Sequence, residues 1–380
     1  MNKKSLLITE AVNSLLNQSD VPATLTIEQC ASKLAMSMTS FRRKLSQEET
    51  TFKLIQQKFL NELCIHDLLT NNVSISALVI KLGYSERATF DRAFRNKFGT
   101  TPSQFRELSM VGSNKNNQQN LSMIAKNMPP LPDSCQLLLD EKDKNTLNLQ
   151  RVLEILANDP VFTGRIMGLA SKAIYGKTPD SLNEAISRNL GINTVVNLAV
   201  IYSVQDALAS HVDSKVIRQC TDIFLMAPKF FQMVRKSTGI KFDIALTEQV
   251  LVFALLGILL LCHKNSIKHE FMLHALQGIS DLHSLNHHLN ESMNISVFKA
   301  STLMLSLWHI DASVVKQLNY LDKASQHNVT MNQQEEMLLF MLSCLYVFAT
   351  GHQDYSELEQ KAQVLNFTEF NHIKSVLFCA

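Results

Sequence analysis

Apolar residues recur every three or four positions along nearly the whole chain, and no segment alternates apolar with polar convincingly enough to read as a strand. An all-α protein is therefore expected. Thr26, with Gln29 three residues later, makes a capping box that opens a short helix with Ile27, Ala31 and Leu34 inward. A turn is expected at Ala35 to Ser37, and then a second short helix from Thr39 to Leu45. Phe41 and Leu45, four apart, face the core there and leave Arg42 and Arg43 pointing elsewhere. Phe52, Ile55, Phe59, Leu63 and Leu69 describe a longer amphipathic helix, ended by Asn71-Asn72. Ser74 opens the next helix, carrying Ile75, Leu78, Val79 and Leu82, and Gly83 allows a left-handed turn after it. Ser85 is placed to cap the helix that follows, with Glu86 complementing its dipole. Phe90, Phe94 and Phe98 form one stripe of that helix, and Thr89, Arg92, Arg95 and Asn96 lie on the other side. Gly99 stops it, and Thr101-Pro102 supplies a cap and a first-turn proline for a last short helix containing Phe105.

The pattern breaks between Ser109 and Asn127, where a Gly-Ser-Asn-Gln-rich run has too little apolar surface to offset its ordering entropy. Residues 1–108 and 128–380 are thus expected as two helical domains joined by a flexible linker over 109–127. Met128 to Pro132 forms a rigid lead-in to the second. That domain is expected to run to about residue 325, and the tail from Asn332 to Ala380 reads as two or three further helices packing on it.

Charge sharpens this division. The formal net charge is +2, yet residues 1–110 hold 14 Lys/Arg against 10 Asp/Glu (+4) and the rest hold 22 against 24 (−2). A basic front half is compatible with nucleic-acid binding. The seven cysteines show no CxxC spacing, which disfavours a zinc ribbon or a disulfide framework and fits a reducing cytoplasm. Lys3-Lys4 precede a stretch too short and polar for a secretory signal. The most apolar run, Val250 to Cys262, has 13 residues, whereas a bilayer span needs about 20. It is read as a buried core helix, with no membrane partner expected. With some 24 residues ahead of the first helical pair, a sensory domain in front is not expected, so regulation is expected from the second domain or from expression level.

The chemistry of the front half follows from its connecting helix. About 18 residues at roughly 1.5 Å each span roughly 27 Å, close to the ~34 Å turn of B-DNA. Two short helices held that far apart can enter successive major grooves of one duplex, and arginines on them can fork to guanine or clamp phosphates. The run from Leu82 to Arg95 (Leu-Gly-Tyr-Ser-Glu-Arg-Ala-Thr-Phe-Asp-Arg-Ala-Phe-Arg), followed by Phe98-Gly99-Thr100-Thr101-Pro102-Ser103-Gln104-Phe105-Arg106, resembles the signature of AraC/XylS-family regulators. The likeness spans about residues 25–107 and includes Phe41-Arg42-Arg43-Lys44-Leu45. It implies a seven-helix double helix-turn-helix domain that regulates transcription, often by activation through contact with RNA polymerase. Its base-facing positions fall on Thr39, Arg42 and Arg43, and on Arg87, Thr89 and Arg92; Ser40, Lys44, Arg95 and Lys97 are expected on phosphates. The chain departs from the family at Leu60, where an arginine is usual, and at Val79, where a small residue is usual.

In the second domain, Leu131-Pro132, the segment Ile155 to Ser171, Tyr175-Gly176, Ser181 to Ile186, Leu190-Gly191 and Leu307-Trp308-His309-Ile310 resemble the HDOD family, all-helical relatives of HD-type phosphohydrolases. HD catalysis needs a His-Asp pair that binds metal and activates water. At the corresponding place stand Gly257 and Ile258, so neither metal, cofactor nor hydrolase activity is expected. His283, His287 and His288 have a spacing that metal sites use, but no second ligand pair surrounds them and they read as a polar surface turn. Asp159-Pro160 reads as a helix-terminating turn and Trp308 as core. The combined reading is a nucleoid-associated bacterial regulator binding promoter DNA, with the HDOD-like domain serving dimerisation, partner docking or ligand sensing. The competing reading is a non-enzymatic signalling scaffold with vestigial DNA binding.

Overall fold

The computed structural model describes residues 7–48, 50–70, 73–110, 124, 128–129, 131–172, 177–266, 269–308, 310–326 and 330–377, and among these every regular element is helical. The chain divides into two compact units, Met1–Met110 and Val111–Ala380.

Seven α-helices build the first unit: α1 (Ile8–Asn17), α2 (Ile27–Lys33), α3 (Met38–Gln47), α4 (Phe52–Thr70), α5 (Ile75–Lys81), α6 (Arg87–Phe98) and α7 (Pro102–Met110). α1 buries the stripe Ile8, Val12 and Leu16. Its free amide end is closed from a distance, because Ile8 N and Thr9 N donate to the Glu48 carboxylate at 2.6 and 3.0 Å and the Thr9 hydroxyl donates to it at 2.6 Å. Burial works to raise the Glu48 pKa, but these donors outweigh it and hold the carboxyl below its ordinary range. The capping box forms as expected, with Thr26 N donating to Gln29 Oε1 at 2.9 Å and Gln29 N to Thr26 Oγ1 at 3.3 Å.

α4 departs from the single stripe expected of it. Phe52 and Ile55 join Val12, Leu16, Cys30, Phe41 and Leu45 in one core, whereas Cys64, Ile65, Leu68 and Leu69 are buried further on, where α4 meets α5 and α7. Ile55 and Cys64 are nine residues apart, which at 3.6 residues per turn places them about half a turn out of phase. Phe59 and Leu63, at the changeover, are half-buried. The rod thus carries one helical pair on each of two faces. Gln56 ties it to the first pair, donating through Nε2 to the carbonyls of Pro22 and Leu25 at 2.9 Å each. Asp67, paired with Lys81 at 2.8 Å, ties it to the second.

α6 starts one residue later than its expected cap allows: Glu86 occupies the capping position without a side-chain bond, and Ser85 caps nothing. A ring ladder holds α6 instead, with centroid separations of 5.8 Å for Phe90 and Phe94, 4.4 Å for Phe94 and Phe98, and 5.9 Å for Phe94 and Phe105. The expected stop at Asn71-Asn72 and most of the expected linker lie outside the described residues.

The second unit comprises α8 (Asp133–Asp143), α9 (Leu149–Ala157), α10 (Pro160–Ala170), a short helix Leu182–Glu184 running into a π-helical segment Ala185–Leu190, α11 (Ile192–Leu208), α12 (Ser214–Ser237), α13 (Ile244–Phe253), α14 (Gly257–Leu261), α15 (His269–Gly278), α16 (Leu282–Met293), α17 (Val297–Leu307), α18 (Ala312–Gln326), α19 (Gln333–Thr350), α20 (Ser356–Val364) and α21 (Phe370–Leu377). Asp159 does more than end α9, because its carboxylate accepts from Phe162 N at 2.9 Å and caps α10 with Pro160 in the first turn. The apolar run expected as one core helix is two, α13 and α14, broken at residues 254–256. The stretch Ile244–Leu261 is apolar enough by composition to cross a membrane, and most of it is buried inside the unit. Trp308 is buried, as expected. α19 is more than an appended helix: eleven of its residues, Met337 and Tyr346 among them, are buried, and it packs on α12, α13 and α16.

Candidate nucleic-acid interface

The first unit contains one turn geometry twice. After α2, Ala35 takes φ +52°, its N–H bonds Ser32 O at 3.0 Å, and Met36 N bonds Ala31 O at 2.9 Å. After α5, Gly83 takes φ +75°, its N–H bonds Ile80 O at 2.9 Å, and Tyr84 N bonds Val79 O at 3.0 Å. Both are left-handed helix ends whose paired bonds reverse the chain into a second helix, so α2–α3 and α5–α6 are helix-turn-helix units of the same build. Ser37 and Ser74 cap α3 and α5 through their hydroxyls.

The second helix of each unit anchors one face and offers the other. Phe41 and Leu45 are buried on α3, and Phe90, Phe94 and Phe98 on α6. Thr39, Arg42, Arg43 and Lys44 are exposed on α3 with Ser40 half-buried; Arg87, Thr89, Arg92 and Arg95 are exposed on α6 with Lys97 half-buried. Arg42, Arg43, Arg92 and Arg95 make no ion pair or side-chain hydrogen bond among the described residues. Arg87 is held to its own surface by Asp91 at 3.6 Å and the Ser103 hydroxyl at 3.5 Å, and Lys97 lies over the Phe98 ring at 5.9 Å. The α3 face therefore presents three consecutive cations, while Glu48, four residues after Lys44, is turned onto α1.

Three supporting residues escaped the sequence reading: Glu48, Gln56 and Arg106, which donates to Val73 O at 2.7 Å and holds α7 against the start of α5. Each acts on backbone more than 30 residues away, and no local pattern announces such a contact.

In the second unit, Gly257 and Ile258 lie within the core, where α14 crosses α17. Gly257 N donates to Ser301 Oγ at 2.7 Å, and that hydroxyl donates to Ala254 O at 2.7 Å. A Cβ on residue 257 would stand 2.3 Å from Val297 O and 2.6 Å from Ser301 N. His283, His287 and His288 sit on a helix, α16, and not on a turn: His287 pairs with Glu291 at 3.5 Å and His288 stacks on Phe271 at 4.9 Å. Among the described residues no group of three His, Cys, Asp or Glu side chains is placed to hold a metal ion. Tyr175-Gly176 and His309 lie outside the described residues.

Residues 30–108 match a helix-turn-helix domain model of the AraC type, and residues 128–324 match the HDOD domain model. Among curated proteins the chain is 29% identical over 87 residues to the HTH-type transcriptional regulator GadX of Escherichia coli O157:H7, covering 23% of this chain and 32% of that one. It is 33% identical over 81 residues to the ornithine utilization regulator of Pseudomonas aeruginosa, covering 21% and 24%. The chain thus spans a third or less of these relatives. A candidate signal transduction protein from Marinobacter aquaeolei VT8 is similar in structure at 16% identity and TM-score 0.44, covering 81% of this chain and 68% of that one. A candidate metal-dependent phosphohydrolase from Shewanella amazonensis SB2B follows at 18% and 0.42, covering 63% and 82%. With the HDOD match extending over more than half of its length, the chain belongs to the HDOD family and carries an AraC-type helix-turn-helix domain ahead of that domain.

Proposed function

We propose that this chain is a transcription regulator that reads promoter DNA with α3 and α6 in successive major grooves and activates through RNA polymerase. The observation that carries it is the pair of like-built turns, each followed by a helix with arginines (Arg42 and Arg43 on α3, Arg92 and Arg95 on α6) that make no ion pair or side-chain hydrogen bond among the described residues. α4, with 19 residues, supplies a rod of roughly 28 Å at ~1.5 Å per residue, against a DNA turn of about 34 Å. Thr39, Arg42, Arg43, Thr89 and Arg92 face bases, and Ser40, Lys44 and Arg95 face phosphates; Arg87 joins them once DNA draws it from Asp91. In anisotropy titrations against the DNA upstream of its own gene, Arg43→Ala and Arg92→Ala should each lose about 1–3 kcal/mol of specific binding with unchanged circular dichroism. Wild-type affinity in both variants would overturn the reading.

The second unit acts without catalysis, because Gly257 and Ile258 offer no ligand atom; metal-dependent hydrolysis of a cyclic dinucleotide by the pure protein would contradict this. Its role is self-association, which raises the effective concentration of the first unit at paired sites. Light scattering should show a dimer, and a monomer at high concentration with and without DNA would remove this part. The protein works in the cytoplasm, at the nucleoid.

A further inference from the structure

We propose that the second unit binds a small organic cation with an apolar body in the cavity bounded by α16, α18, α19 and α20. This goes beyond the DNA reading and does not depend on it. The cavity measures about 710 Å³, within the roughly 300–1,000 Å³ of small-molecule sites. Leu282, Phe298, Phe340 and Leu365 give it apolar walls. Asn286 also lines it and is 2% exposed. Its Oδ1 accepts from Val297 N at 2.8 Å, and its Nδ2 has no partner among the described residues. A buried donor left unmet costs about 1–3 kcal/mol, which an oxygen or an aromatic π face on the ligand's body, and not its cationic head, would recover.

Charge decides the class of ligand. Three carboxylates border the cavity, Asp281, Glu336 and Glu357, against the ammonium of Lys361 and the imidazoles of His283 and His287. That ammonium is already engaged by Asp281 at 2.9 Å. Partial burial, the Asp281 charge and a side-chain hydrogen bond to Asp281 push the Glu357 carboxyl up, against the opposing pull of Lys361 and His283. An ammonium or guanidinium placed at this rim would supply the missing charge, while a carboxylate would meet repulsion.

Two of the bounding helices, α19 and α20, lie beyond residue 324, where the HDOD match ends. The site is therefore built jointly by the domain and this chain's own C-terminal helices.

The test is a ligand-observed NMR screen of the full chain with three fragment sets: amines and guanidines on aromatic or branched bodies, their neutral alcohols, and the corresponding carboxylates. The cationic set should give the hits. Those hits should weaken in Ala324→Leu, which pushes a larger side chain into the cavity wall, and weaken about tenfold in the double variant E336Q/E357Q, as expected for loss of charged contacts. Both glutamates are exposed, so the double variant keeps its fold even if Ala324→Leu does not. Hits dominated by carboxylates or alcohols, hits that persist in the double variant, or no hits would each overturn the assignment.

Discussion

Gly257→Ala adds one methyl group where α14 crosses α17, and the structure fixes what that methyl meets: Val297 O at 2.3 Å, Ser301 N at 2.6 Å and the Ala300 Cβ at 2.8 Å. Two of these atoms are backbone, so no side chain can swing aside and the helices must part. Overpacking of this kind costs about 1–3 kcal/mol. Parting also stretches the Gly257 N to Ser301 Oγ to Ala254 O relay, two buried bonds worth about 1 kcal/mol each. The expected loss is thus about 3–5 kcal/mol. Urea unfolding followed by tryptophan fluorescence reads it directly, since the chain has one tryptophan, and Trp308 is buried at the C-terminal end of α17. A Gly257→Ala midpoint within about 0.5 kcal/mol of wild type, the range of a neutral surface change, would refute the close-crossing argument. The same geometry predicts that Gly257→His with Ile258→Asp unfolds the unit instead of creating a metal site.

Gly83→Ala should destabilise the first unit by about 2 kcal/mol, since a left-handed backbone costs an L-residue about 1–2 kcal/mol and the new Cβ would stand 2.7 Å from that of Ala23. Ala35→Gly, relieving the same conformation at the other turn, should gain about 0.5–1 kcal/mol; calorimetry that finds the two changes alike would sink the comparison. The second unit should lose stability below neutral pH. Burial, with His211 and His269 nearby, lowers the His263 pKa from 6.5 to about 4, so the unfolded chain takes up a proton that the folded one refuses. That contribution is whole above pH 6.5 and is lost as pH falls towards 4, up to about 3 kcal/mol. Urea midpoints at pH 7.5 and 5 should differ less in His263→Gln than in wild type, and an unchanged difference would count against it.

What could be read from the residues was local. Thr26 with Gln29, Ser74, and Thr101 with Pro102 announce helix starts because a cap acts within one turn, and all three form. The phenylalanine stripe of α6 and the exposed arginines opposite it follow from helical period alone. What could not be read depends on distant partners. α1 has a strong apolar stripe, but its capping acid is 40 residues away. The break between α13 and α14 leaves no mark in a uniformly apolar run, because the hydroxyl that satisfies Ala254 O belongs to Ser301. Gly257 stood out as a missing ligand, and its packing role became visible only with α17 in place.

The two-faced α4 sets how the paired helix-turn-helix units are held relative to one another. A rod buried along a single stripe could roll under its load. One gripped on opposite sides at its two ends, by Phe52 and Ile55 at one and Cys64, Ile65 and Leu68 at the other, cannot turn without opening a core. Gln56 and Asp67 lock each end again through polar contacts. The angle between α3 and α6 is therefore set by the phase of buried residues along α4, about 100° for each residue of spacing. Length fixes how far apart the two recognition helices stand, and this phase fixes how they are turned. The changeover lies at the half-buried Phe59 and Leu63, where a change of phase costs least in burial.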